Sequence, residues 1–361
     1  MAAKGRVTIR DVAARAGVSP ATVSRVLSGN YPVPPATRTR VLRAAESLDY
    51  VANAHARALV GGGSSMVAVV LRQVTSPFYA QVAEGVEAEA AEHGRLCLVG
   101  STNGDPRREL ELVQLMREEG AGLVILVGGV VEDDAYRERV TRYAHALQAS
   151  GSRLVLCGRP SPGPELPALV IEFDNEAGAH AITSHLISAG HRRMVFLGGL
   201  PGNSALDARV AGYHSALALH GLDSDDSPVI DCGLGRGPGH RAMTELLVER
   251  GDFTAVVAGD DMVAAGALRA IKDAGLRVPE DISVVGYNDI PLAQDFDPPL
   301  TTVRTPAEEL GRAAVRLALR DPVEVSVSAR HVLGTYIVVR DSVGVPSPHR
   351  QSNTVGGLTP A

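Results

Sequence analysis

VTIRDVAARAGVSPATVSRVLS, residues 7–28, reads as two short helices joined by a tight turn. Thr8 and Asp11 have the spacing of an N-terminal capping box, S/T-x-x-D/E ahead of an apolar run. Ile9, Val12, Ala13 and Ala16 follow at helical spacing. Gly17 can take the left-handed conformation that ends a helix. Ser19 caps a second helix with Pro20 at its first position, where a missing N–H costs nothing. Val23, Val26 and Leu27 make that helix's buried stripe, leaving Pro20, Ala21, Ser24 and Arg25 on the outer face. A short helix with an arginine on its free face, held by a turn against a first helix, is the form that enters a DNA major groove.

Outward from this stretch, charge divides the chain. Residues 1–60 hold nine Lys/Arg and three acids, a net of +6, whereas the whole chain is −6 and residues 61–361 therefore carry −12. A basic head on an acidic body implies a polyanion partner for the head alone. A third helix is predicted from Pro35 to Leu48, with Val41, Leu42 and Ala45 inward. Residues 53–59, NAHARAL, can add one or two helical turns, too few to hold alone. Gly61 to Ser65 then form a flexible linker. The expected organisation is a DNA-binding head over 1–60, a linker over 61–65, a core over 66–343 and a disordered tail over 344–361.

In the core, apolar runs alternate with helical segments. The runs are 66–71, 95–100, 122–128, 153–158, 168–173, 193–198, 228–232, 254–259 and 282–287. Strands apolar on both faces, with helices between, mean parallel sheets covered on both sides. Nine such strands fit an α/β core of two doubly wound subdomains better than one. Ligands of such sheets bind outside the carboxyl ends of the strands.

At 45% apolar residues the composition is that of an ordinary soluble globule. No run of 18 apolar residues is present and the start, MAAKGRVTIR, has no apolar h-region, so neither a membrane span nor a secretory signal is expected. Cys97, Cys157 and Cys232 are odd in number and lie in apolar segments, as buried reduced thiols of a cytoplasmic protein would.

Taken together, these segments closely resemble the LacI/GalR (lactose-repressor) family of bacterial transcriptional regulators over roughly residues 7–343. TIRDVAARAGVSPATVSRVLSG resembles the family's head, and ATRTRVLRAAESLDYVANAHARAL its third helix and hinge helix. HLISAGHRRMVFLGG, RVAGYHSAL, the segment from Ala255 to Asp289, and PPLTTVRTPAEELGRAAV resemble the effector core in family order. The resemblance implies a cytoplasmic homodimer that binds a pseudo-palindromic operator and answers to a small-molecule effector. It also implies a hinge helix over 53–59 in the minor groove, with Leu59 as the wedge at the central step and Arg57 near the backbone.

Pro20 and Ala21 fall where the family varies its specificity residues, and neither side chain can hydrogen-bond. Base reading is therefore expected to lean on Arg25, which can grip guanine O6 and N7 bidentately. Thr8, Thr22, Ser24 and Asn30 suit phosphate positioning. For the effector, Arg209 in R-x-x-G-Y matches a ligand-binding arginine, Asp260 an acidic residue at a strand end, and Asn288 in GYND a polar contact. Arginine, carboxylate and amide together suit a polyol, whose hydroxyls both donate and accept. A structural ion pair for Arg209 and a helix-capping role for Asp260 are the alternatives. Pro77, Phe78 and Tyr79 can supply an apolar wall, and Asn103 and Asp174 are further candidates. Leu234 stands where many relatives carry an aromatic residue, so a stacking wall must be absent or come from Phe173 or Phe78. A sugar is the favoured effector class, with a purine or nucleoside as the alternative.

GLGRGPG (233–239) looks like a dinucleotide loop, but from Gly233 the sixth position is Pro238 and from Gly235 it is His240. No P-loop, G-x-S-x-G or H-E-x-x-H occurs. Neither enzymatic activity, nor a cofactor, nor a metal is expected. A solute-binding protein without DNA function is the remaining rival, and the basic head speaks against it.

Overall fold

The computed structural model describes residues 7–28, 32–50, 66–250, 252–320 and 330–346. The hinge segment 53–59 with Arg57 and Leu59, the linker 61–65, and Asn30 lie outside the described residues.

The head has three helices, α1 (Ile9–Ala16), α2 (Pro20–Ser28) and α3 (Pro35–Ser47). Thr8 caps α1, its backbone N–H and hydroxyl both donating to Asp11 Oδ2 at 2.8 Å. Those bonds hold the exposed Asp11 carboxyl below its usual range. Gly17 closes α1 at φ 64°, the left-handed conformation that glycine enters without strain. Ser19 Oγ accepts from Thr22 N at 3.1 Å and so starts α2. Val12, Ala13, Ala16, Val23, Val26, Val41, Ala44 and Ala45 form a single small core. Leu42, expected inward, is 46% exposed, and Ala44 takes its place. At about 100° per residue, Leu42 falls off the stripe that Val41, Ala44, Ala45 and Leu48 share.

The core has two lobes. In the first, β1 (Met66–Leu71), α4 (Pro77–Glu92), β2 (Leu96–Ser101), α5 (Pro106–Glu118), β3 (Leu123–Val127), α6 (Asp134–Ala149), β4 (Arg153–Cys157) and β5 (Ala168–Phe173) alternate. The second contains α7 (Asn175–Ser188), β6 (Met194–Gly199), α8 (Ser204–Leu219), β7 (Val229–Asp231), α9 (Arg236–Glu249), β8 (Ala255–Ala258), α10 (Asp261–Asp273), β9 (Ser283–Asn288) and β10 (Thr301–Arg304). The chain then returns to the first lobe through α11 (Ala307–Leu319) and β11 (Arg330–Leu333), and ends in the second with β12 (Tyr336–Val338). The sheet orders are β11-β5-β4-β3-β1-β2 and β12-β10-β9-β8-β6-β7. Pairing is parallel except between β10 and β12. The lobes are thus joined by three crossings: β5 to α7, β10 to α11, and β11 to β12.

Period-two alternation explains the layers. Val67, Val69 and Leu71 of β1 face α4 and α11, whereas Ala68 and Val70 face α5 and α6. All five residues of β3 are buried, each large apolar side chain contributing about 1.5–3 kcal/mol. Helices α4 and α11 meet at backbone distance. A Cβ on Gly85 would come 2.0 Å from Glu308 O, and one on Gly311 would come 2.2 Å from Val82 O.

The nine expected strands are present, and β10, β11 and β12 were not expected. These three run to only three or four residues, and β11 and β12 lie at sheet edges, where no long apolar run is required. Gly344 to Pro346, assigned to the tail, instead belong to the core. Gly344 N donates to Ser283 Oγ at 3.0 Å, and its carbonyl is 3.0 Å from His191 Nε2. The rest of the expected tail, from residue 347, lies outside the described residues.

Candidate functional site

In the head, Pro20, Ala21 and Arg25 are exposed on α2, and Thr22 and Ser24 are half-buried beside them. Arg10, Arg15, Arg38, Arg40 and Arg43 are also exposed, so the described head presents a cationic surface. Two candidates have local duties as well. The Thr8 hydroxyl donates within its cap, and the Thr22 hydroxyl lies 2.9 Å from that of Ser19.

Between the lobes, at the carboxyl ends of the strands, lies a cleft of about 300 Å³. Phe78, Tyr79, Arg209, Asp260 and Asn288 all line it. The first lobe supplies an aromatic cluster at the start of α4. The Phe78 ring stands edge-on to Tyr79 at 5.2 Å and to Phe173 at 5.9 Å. Phe173 also lines the cleft, so aromatic surface comes from this lobe, while Leu234 faces it from the other.

The second lobe supplies the polar groups. Arg209, 6% exposed, reaches from α8 and donates from Nε to Asn175 Oδ1 at 2.9 Å. Its Nη1 donates to Gly259 O at 2.7 Å and its Nη2 to Asn288 Oδ1 at 3.4 Å. The guanidinium lies 3.8 Å from the centre of the Tyr287 ring, a cation–π contact. Burial holds Arg209 below the usual guanidinium range. Asp260 caps α10, accepting from Val263 N at 2.7 Å, and burial raises its carboxyl above the usual range. Capping and lining the cleft coexist, because the cap places this carboxylate at the end of β8. Asn288 reaches the site through a backbone with φ 108°, and Asp289 (φ 55°) follows it. The Asp289 carboxylate is held by Arg304 and Arg340, which pins the turn and aims Asn288 at Arg209.

The further candidates lie elsewhere: Asp174 caps α7 through Ala177 N at 2.8 Å, and Asn103 is not among the lining residues. Arg72, Asn175 and Asn203 line the cleft without having been expected. The available signal was position: Arg72 is the first residue past β1, while Asn175 starts α7 and Asn203 caps α8. The lobes also touch at the rim, where Ser204 N donates to Val130 O at 2.9 Å and Val130 N to Ser204 Oγ at 3.2 Å.

Cys157 lines the cleft, and burial pushes its thiol up to about 12, so it stays protonated. The described cysteines are free thiols. Among the described residues no helix is long and apolar enough to cross a membrane, and no group of three acidic, histidine or cysteine side chains could hold a metal.

Transcriptional regulators are among the known proteins similar to this chain. The family of bacterial regulatory proteins named for lacI matches residues 8–53, and a periplasmic binding protein-like domain matches residues 183–343. The HTH-type transcriptional regulator CelR of Thermobifida fusca is 35% identical, over 95% of this chain and 100% of the relative. GalR of Escherichia coli (strain K12) is 35% identical, over 94% of this chain and 96% of its own length. Among solved structures, the lac repressor dimer bound to operator and an anti-inducer superposes with a TM-score of 0.80. It is 26% identical and covers 94% of this chain and 99% of its own. The CelR–cellobiose complex superposes with a TM-score of 0.67 at 33% identity, covering 93% of this chain and 100% of its own. The chain therefore belongs to the LacI family of bacterial regulatory proteins and is a helix-turn-helix DNA-binding transcriptional regulator, not an enzyme.

Proposed function

We propose that this chain is a homodimeric repressor that acts in the cytoplasm, each head reading half of a pseudo-palindromic operator, and that a sugar or sugar derivative in the cleft controls it. The observation that carries this reading is the cleft itself. Phe78 and Tyr79 reach it from one lobe and Arg209, Asp260 and Asn288 from the other. A polyol fits such a lining, since its hydroxyls donate to Asp260 and the amide oxygens and accept from the guanidinium. The bound sugar of the CelR complex and the operator-bound lac repressor dimer support the same reading by relationship.

The mechanism is a population shift. A ligand that touches both lobes binds one lobe orientation better than another and moves the equilibrium toward it. The three crossings are where the lobes can turn on one another. Residues 53–59 stand between the heads and the core in sequence, and we place there the step that passes the lobe motion to operator binding.

The test is selection of bound duplexes from a random DNA pool with the purified chain, first alone and then with a metabolite mixture. A pseudo-palindrome with a fixed central step is expected, released by sugars. No motif under either condition would refute the head's role, and release by nucleosides alone would replace the sugar.

A further inference from the structure

The charge of the cleft is unbalanced. Its lining contains two cations, Arg72 and Arg209, and one carboxylate, Asp260. Among the described residues Arg209 bonds only neutral groups, namely Asn175 Oδ1, Gly259 O and Asn288 Oδ1. Arg72 comes from the opposite lobe, beside Gly104, and among the described residues its guanidinium has no hydrogen-bond or ion-pair partner. Neighbouring carboxylates are committed elsewhere. Asp289 is held by Arg304 and Arg340, Asp261 accepts from Ile290 N and Thr302 Oγ1, and Glu109 is paired with Arg159 at 2.9 Å. Asp260 is itself occupied with its cap, and burial raises its carboxyl.

The contrast with Arg159 is informative. That arginine is as buried as Arg209 and has a carboxylate in bonding contact, the usual requirement for a charge removed from water. The cleft withholds such a partner from Arg72 and Arg209, on opposite walls of a space that a ligand would fill. A guanidinium offers a planar fork of donors that matches a carboxylate or a phosphoryl group. Closure around a ligand removes water and strengthens the attraction. At about 300 Å³ the cleft is at the small end of ligand sites and suits a monosaccharide frame.

We propose that the effector is an acidic monosaccharide derivative, a polyol carrying a carboxylate or a phosphoryl group, and that Arg72 is the residue that reads the anion. This rests on the sugar reading above and narrows it. Arg209, Asp260 and Asn288 hold the hydroxyls, and the anion supplies the charge that the lining lacks.

The experiment is calorimetric titration of the full-length protein at low salt with matched ligands. These are D-glucose, D-glucuronate and D-glucose 6-phosphate, the corresponding galactose series, adenosine, inorganic phosphate and acetate. At least one acidic sugar is expected to bind about tenfold or more tighter than its neutral parent. The two acidic arms distinguish carboxylate from phosphoryl. Arg72→Gln is expected to collapse that ratio toward one, and Arg72→Lys to keep part of it. The ligand-free thermal midpoint of each variant checks its folding.

A neutral sugar that binds as tightly as its acidic derivatives would overturn the anion and leave the sugar reading standing. Adenosine as the sole binder would overturn both. Inorganic phosphate binding as tightly as the sugar phosphate would mean an adventitious ion only and would overturn it. Failure of every acidic sugar to bind would also overturn it. An acidic preference that survives Arg72→Gln removes Arg72 from the role.

Discussion

Asp261, the first residue of α10, accepts a 2.5 Å hydrogen bond from the hydroxyl of Thr302 on β10, the strand that leads into the second crossing. Its other oxygen accepts from Ile290 N at 2.8 Å, in the turn that follows Asn288 and Asp289. The carboxylate is fully buried, and a Cβ on Gly286 would come 2.2 Å from it. One side chain thus ties the helix beside the cleft to the turn that aims Asn288 and to the second-lobe strand from which the chain crosses back.

Burial pushes the Asp261 carboxyl up to about 7, and the nearby Asp260 and Asp289 add to the rise. An acid with a raised native value binds its proton earlier in the native state than in the unfolded chain. Its stabilising contribution is therefore complete below the ordinary value of 3.8 and is lost as pH rises toward 7. The slope is at most about 1.4 kcal/mol per pH unit. Asp261→Asn should lose this dependence, so the variant weakens relative to the parent as pH falls from 7.5 to 4.5. A constant difference in thermal midpoint across that range would count against a titrating Asp261.

His191 has the opposite sign. Its ring is 1% exposed, with Nε2 3.0 Å from Gly344 O and Nδ1 2.8 Å from Thr254 Oγ1. The carbonyl can only accept, so Nε2 carries the proton and Nδ1 accepts from the threonine, which describes a neutral imidazole. Burial lowers its value from 6.5 to about 4. Acidification then protonates the unfolded chain first and destabilises the fold between these values. His191→Gln should weaken the protein at pH 8 and lessen that acid loss. Parallel midpoint curves for parent and variant would show the ring to be silent.

The local rules that made the head readable also fixed its structure: the Thr8–Asp11 cap, Gly17, and Ser19 before Pro20 act within a few residues. The same holds for buried strands such as β3, where an unbroken apolar run leaves little choice. What stayed hidden depends on distant partners. Arg72 lines the cleft, and among the described residues no carboxylate pairs with it there, a condition set by the placement of many elements. Asp289 reads like Asn288 in sequence, yet Arg304 and Arg340 draw it away. β10, β11 and β12 are too short for periodicity to reveal, and their pairing is fixed by the crossings.

Packing of α4 on α11 should be intolerant of a single methyl group. A Cβ on Gly311 would meet Val82 O at 2.2 Å and Val86 N at 2.8 Å, backbone atoms that cannot rotate away. Gly311→Ala should therefore part the helices at a cost of about 1–3 kcal/mol. That lowers the thermal midpoint by several degrees, at roughly 2–4 °C per kcal/mol. Gly163→Ala, with nothing within 4 Å of the added carbon, is the control and should stay near the parent. Equal midpoints for the two variants would contradict the close approach.

Arg209 should uncouple sensing from DNA binding. Its three hydrogen bonds and its stacking on Tyr287 place it in the cleft of the core, outside the head. Arg209→Met should retain operator binding and weaken effector binding by about tenfold to a hundredfold, the usual loss for a charged hydrogen bond. The effector concentration that half-releases operator, read by fluorescence anisotropy of labelled duplex, measures this. An unchanged midpoint would remove Arg209 from the ligand site.

Arg25 carries the corresponding test for the head. Pro20 and Ala21 are exposed on the same helix but offer no side-chain hydrogen bond, so of these three the arginine is the one proposed to read bases. Arg25→Ala should reduce discrimination between operator and single-base variants by about 1–3 kcal/mol. Weak binding to any duplex should persist, because Arg10, Arg15, Arg38, Arg40 and Arg43 still present charge. That residual affinity should fall steeply with salt as counterions are released. Competition binding with a mutated operator set at two salt concentrations separates the two effects. If sequence preference survives in the variant while overall affinity drops, Arg25 contacts phosphate, and base reading must come from other residues.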